Sequence, residues 1–86
     1  MNVSHILGEF KNLAQRLGIE IRYTEGGPSG LCSLKGKKVM FIDRTLDEEA
    51  RLELFIKDFS SLDLEGVFVV PIIKKLLGKE SSNGNW

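Results

Sequence analysis

At Gly18 the hydrophobic period of the chain changes. Before it, Ile6, Leu7, Phe10, Leu13, Ala14 and Leu17 recur at i, i+1, i+4, i+7, i+8 and i+11, the spacing that lines one face of an amphipathic helix. After it, Ile19, Ile21 and Tyr23 alternate with Glu20, Arg22 and Thr24, the two-residue period of a strand with one buried face. A chain that switches period in this way and later switches back is expected to fold as α+β, with helices laid against a small sheet.

The punctuation along the chain supplies the elements. Ser4 or Asn2 can cap the first helix, and Gly18 sits where a left-handed C-terminal cap is wanted. Residues 25–30, Glu-Gly-Gly-Pro-Ser-Gly, form a loop. Leu31–Lys35 and Lys38–Asp43 read as two further strands, a hairpin turning at Gly36. Thr45 with Glu48 makes a capping box, with Asp47 as a competing cap. Behind it Ala50, Leu52, Leu54, Phe55, Ile56, Phe59 and Leu62 predict a helix over about 47–61. Val67–Val70 reads as a short strand or an extended lead into a last helix, which Pro71 opens and Gly78 closes. The expected fold is α+β: an N-terminal helix, a three-stranded antiparallel meander, a long helix and a short C-terminal helix. It forms one domain over 1–78, followed by a disordered polar tail over 79–86.

Composition narrows the function classes. The 86 residues carry 12 Lys+Arg and 12 Asp+Glu, so no net charge draws the chain to nucleic acid or an anionic membrane. Neutrality covers an asymmetry, because residues 1–44 sum to +3 and residues 45–86 to −3. Cys32 is the only cysteine, which excludes an intrachain disulfide and fits a reducing compartment. The start MNVSHILGEF lacks a basic segment followed by an unbroken apolar one, so no secretory leader is expected. The longest apolar run, Val67–Ile73, includes Pro71 and falls far short of the roughly 20 residues that span a bilayer. The expectation is a cytoplasmic protein with no membrane contact.

Few residues have the chemistry for a site. Cys32 follows the Gly-rich loop, where a reactive thiol would be accessible, but the only histidine available as its base is His5. In the strand pattern Cys32 shares a face with Leu34, as a small core residue would. The 26–30 loop opens a strand, not a helix, so it lacks the N-terminal dipole of a phosphate loop. Arg22, Lys35, Lys37, Lys38 and Arg44 would make a basic patch on the sheet. Sheets that bind nucleic acid add exposed aromatics to such charge, and here only Tyr23 and Phe41 are at hand, both at core-like positions. The carboxylates of the 47–65 region pair with Arg51 and Lys57 and read as a solvated face. Neither metal nor cofactor is expected. Val67, Phe68, Val69, Ile72, Ile73 and Leu76 exceed what one short helix must bury, which suggests an interaction surface.

Gly30–Leu62 resembles a pattern in a family of small uncharacterised bacterial proteins. A Gly-rich turn precedes a Cys-bearing strand and a hairpin; Ile-Asp-Arg-x-Leu (42–46), Glu48-Glu49 and a helix ending near Leu-Asp-Leu (62–64) follow. Val-Pro-x-Ile-x-x-x-Leu (70–77) matches the start of that pattern's C-terminal helix. The resemblance implies no activity, since none is assigned to the family. A fainter likeness is to the strand–strand–helix unit of minimal zinc peptidases of the phage-repressor-cleaving kind. There the helix carries His-Glu-x-x-His, and Lys57, Asp58 and Ser61 stand at those positions. Both histidines are replaced, so the likeness implies a scaffold kept for binding without zinc chemistry.

The leading expectation is a non-enzymatic protein-interaction module, with a protein partner or itself as a homodimer through 67–77. One alternative is a small enzyme or ligand-binding protein with its site at the 25–32 loop around Cys32. The other is a weak nucleic-acid binder using the basic hairpin.

Overall fold

The computed structural model describes residues 2–78. The tail expected at 79–86 and its Trp86 lie outside the described residues.

Helix α1 spans Val3–Arg16. Asn2 is its cap, the side-chain oxygen accepting from the Ser4 N–H at 2.8 Å. Ser4 donates its hydroxyl to the Glu48 carboxylate, tying the start of α1 to the start of the second helix. Gly18, at φ +73°, turns the chain out of α1, and the Ile19 N–H reaches back to the Ala14 carbonyl at 2.8 Å.

Three strands follow: β1 Glu20–Thr24, β2 Gly30–Leu34 and β3 Lys37–Asp43. Lys35 (φ +51°) and Gly36 (φ +80°) make the two-residue turn between β2 and β3, a twist that suits antiparallel strands. The sheet corrects the expected antiparallel meander, for its order is β1-β3-β2. β2 pairs antiparallel with β3, whereas β1 pairs parallel with β3 in the register Glu20↔Val39 to Thr24↔Asp43. β3 is therefore the centre, and residues 25–29 carry the chain across its end from one edge of the sheet to the other. Central position explains the unbroken apolar run Val39-Met40-Phe41-Ile42, since a middle strand has side chains to bury on both faces.

Helix α2 spans Glu48–Phe59 and is shorter than α1. Asp47 is its cap, accepting from the Ala50 N–H at 2.8 Å. Thr45 is occupied elsewhere, donating to Asp43. Val67–Val70 forms no strand but an extended lead into α3, Pro71–Leu76, with proline in the first turn.

Helix α3 packs against α1, and helices α1 and α2 cover one face of the sheet. Phe10, Phe55 and Phe59 are fully buried at its centre. Phe10 stacks on Phe55 at 5.2 Å, and Phe59 meets the two edge-on at 5.8 and 5.4 Å. Met40 and Ile42 of β3 join them, as do Val69, Ile73 and Leu77. Val39 is also buried, but it lies on the opposite face and outside that cluster. No helix among the described residues is long and apolar enough to cross a membrane.

Candidate binding site on the helix-free sheet face

Pairing fixes which side chains share the uncovered face. Glu20, Arg22 and Thr24 of β1 lie beside Val39, Phe41 and Asp43 of β3, and beyond them stand Cys32 and Gly30 of β2. One end of this face is closed by the loop that crosses β3, and Asp43 holds that loop down. Its Oδ1 accepts from the Gly26 N–H at 3.2 Å, and from the Thr45 N–H and hydroxyl at 2.9 Å each. Its own N–H donates to the Ser29 hydroxyl at 3.0 Å. The Thr45 bonds, and then that from Gly26, hold the Asp43 carboxyl below the ordinary aspartate range.

Under the pinned loop lies a hollow of about 310 Å³, bounded by Thr24, Gly26, Pro28, Ser29, Cys32 and Phe41. Its walls are mostly apolar. Thr24 is one of its lining residues, and the Thr24 hydroxyl is buried without a hydrogen-bond partner among the described residues. Cys32 is exposed at its edge. Larger hollows exist, but the one of about 380 Å³ is framed by the Asp63–Val67 turn and Lys74 and is largely polar. The small hollow has the more apolar walls, with Thr24 and Ser29 among its lining residues, the mixture typical of binding sites.

The other expected site residues are scattered. Val69 and Ile73 are buried at 5% and 0% exposure, so they belong to the core and are removed from any surface. Val67, Ile72 and Leu76 are half-buried and packed against that core. Phe68 alone of the six stands out, 64% exposed, with the Arg16 guanidinium 5.2 Å over its ring. The surplus apolar residues are needed because two helices leave the end of the core unsealed.

The basic residues do not form one stripe. Arg22 donates to Glu20 at 2.8 Å, and Lys37 lies 3.6 Å from the same carboxylate. The Arg22 hydrogen bond holds the Glu20 carboxyl below its ordinary value, and Glu20 in turn raises the Arg22 guanidinium. Lys35 sits in the turn, while Lys38 borders a different hollow with Leu17, Ile19 and Asp63. Arg44 is at the far end of β3, 3.2 Å from Glu25.

His5 pairs with Glu9 at 3.7 Å on α1, on the helical side of the sheet, and so stands away from Cys32. Lys57 and Ser61 are exposed. Asp58 is half-buried, its Oδ2 accepting from the Leu31 N–H at the edge of β2, 2.9 Å away. Among the described residues no three His, Cys, Asp or Glu side chains are placed to hold a metal ion.

The 25–32 loop proposed from the sequence supplies Gly26, Pro28, Ser29 and Cys32, while sequence reasoning missed Thr24, Phe41 and Asp43. The Asp43-x-Thr45 spacing is the one local signal for them, because an aspartate followed two residues on by a hydrogen-bonding threonine marks a turn. Comparison with known protein families, with curated proteins and with solved structures finds no match for this chain.

Proposed function

We infer that the protein is a non-enzymatic interaction module whose helix-free sheet face receives a protein partner, an apolar side chain of that partner entering the hollow. The observation that carries this reading is the apolar hollow itself, walled by Pro28, Cys32 and Phe41. Support comes from its surroundings. Leu34, 45% exposed, continues the apolar surface along β2, and Glu20, Arg22 and Lys37 border it with charges of both signs. An apolar centre with a charged border is how protein interfaces are built. The scaffold-kept-for-binding idea implied by the peptidase likeness agrees with it.

Selection of displayed peptides on the full chain tests the reading, with counter-selection against Cys32→Lys, which fills the hollow's edge from an exposed position. Retained peptides should carry an apolar anchor and shift the amide resonances of Thr24, Cys32 and Phe41. Peptides that map elsewhere, or none surviving counter-selection, would overturn it. Saturable occupation of the hollow by indole alone, with no peptide retained, would favour a small-ligand site at the 25–32 loop instead.

A further inference from the structure

On the helical side of the sheet, where β1 ends, three cations converge on one ring. Lys11 Nζ lies 5.8 Å from the Tyr23 ring centroid, Arg44 Cζ 5.8 Å and Arg51 Cζ 5.7 Å. They come from α1, the segment after β3, and α2, so the fold rather than local sequence assembles them. Any two are then within about 12 Å, comparable to the screening length of roughly 10 Å at 0.1 M salt, and repel one another. Attraction to the face of one tyrosine offsets part of that repulsion.

Carboxylates offset little more. Arg44 has Glu25 at 3.2 Å, but that glutamate is 82% exposed. Arg51 spends its Nε on the Leu46 carbonyl and one Nη2 proton on the Arg44 carbonyl, each at 3.0 Å. Those bonds fix the guanidinium without neutralising it. Lys11 and Arg51 have no carboxylate within ion-pair distance among the described residues. Asp43, Asp47 and Glu48 accept from Gly26 and Thr45, from the Ala50 N–H and from Ser4 and keep their charge, but none is within ion-pair distance of the three cations. Within ion-pair distance the three cations face Glu25 alone among the described residues.

We propose that this cluster is a binding site for a dianionic phosphate group carried by a small soluble ligand of the phosphomonoester class. The sign of the charge matches, because a phosphomonoester carries about −1.5 to −2 near neutral pH and three cationic groups surround the ring. So does the geometry: Arg51 is held rigid by two backbone carbonyls, while Lys11 and Arg44 are exposed and free to close on an incoming anion. Tyr23, 38% exposed, leaves the cluster open to solvent. This site is separate from the hollow, which lies across the sheet, and neither depends on the other.

The test is a two-dimensional NMR titration of the full chain with sodium phosphate at pH 7, against sodium chloride at matched ionic strength. Phosphate should give saturable shifts centred on Tyr23, Arg44 and Arg51 that chloride does not reproduce. Lys11→Gln and Arg44→Gln should each weaken it by about two- to fivefold, the range for one partly solvated charge, and Lys74→Gln on α3 should not. Equal responses to the two salts, shifts centred elsewhere, or unchanged affinity in both variants would overturn the proposal. An oligothymidylate that bound the same residues more than about a hundredfold more tightly than phosphate would also overturn it, in favour of nucleic acid.

Discussion

Asp43, half-buried at the end of β3, ties together the two segments that leave the parallel strands. One carboxylate oxygen takes three hydrogen bonds, and the residue's own N–H takes Ser29, so both segments that leave the parallel pair β1 and β3 are tied to one side chain. Its lowered proton affinity has a definite pH consequence. A carboxyl lowered in the folded state adds stability above its unfolded pKa, and that stability is lost as pH falls through the folded value. Asp43→Ala should therefore lower the melting temperature at pH 7 more than Asp63→Ala, whose carboxylate takes only the Glu65 N–H. The difference between the two variants should shrink as the medium is acidified below about pH 4. Calorimetry of both variants across pH 2–7 measures this. A constant difference would mean that Asp43 acts through something other than its charge.

Among the elements, those whose signals are local were legible and those set by long-range pairing were not. The helical spacing of apolar residues and the Gly18 stop located α1; the Lys35-Gly36 turn located the β2–β3 hairpin; Pro71 and Gly78 bracketed α3. The partner of β1 left no such trace, because alternation along a strand says which face is buried and nothing about its neighbour. A five-residue connection serves a hairpin as readily as a crossing over β3. The legible clue was compositional: Val39-Met40-Phe41-Ile42 is apolar on both faces, whereas β1 alternates as an edge strand does. The hollow was legible only in part: the 25–32 loop was in view, but its β1 and β3 walls, Thr24 and Phe41, depend on the crossing that the strand pattern did not reveal. At the start of β2, Gly30 has φ +141°, and a β-carbon there would stand 3.0 Å from Asp58 Oδ2. Gly30→Ala should destabilise by about 1–3 kcal/mol through backbone strain, read from urea denaturation. Adding Asp58→Ala should not restore stability, since that removes the contact and leaves both the strain and an unpaired Leu31 N–H.

At the scale of the molecule, a thin core makes each large side chain matter. The buried centre is one cluster with Phe10 touching both other phenylalanines. Phe10→Ala should cost about 3–5 kcal/mol, against roughly 4–13 kcal/mol available to a chain of this size. Circular dichroism on heating should show the variant partly unfolded near 37 °C; a full native signal there would mean that α3 collapses into the vacated space. The charge asymmetry seen along the sequence also takes a different form in the fold. Much of the acidic excess is drawn into caps and cross-ties, and the basic excess separates into paired residues beside Glu20 and the group around Tyr23. A surplus that looked like a property of one half of the chain is divided in the fold between two places.

The crossing over β3 also sets an order of events in time. β2 and β3 are joined by two residues and can zip together within microseconds. β1 precedes both, yet its only strand partner is β3, about twenty residues downstream, and the closure of that longer loop comes at a higher entropic cost. In the growing chain β1 is synthesised first and paired last. It waits, with its backbone unsatisfied by any strand, until the hairpin supplies the ladder on which it can dock.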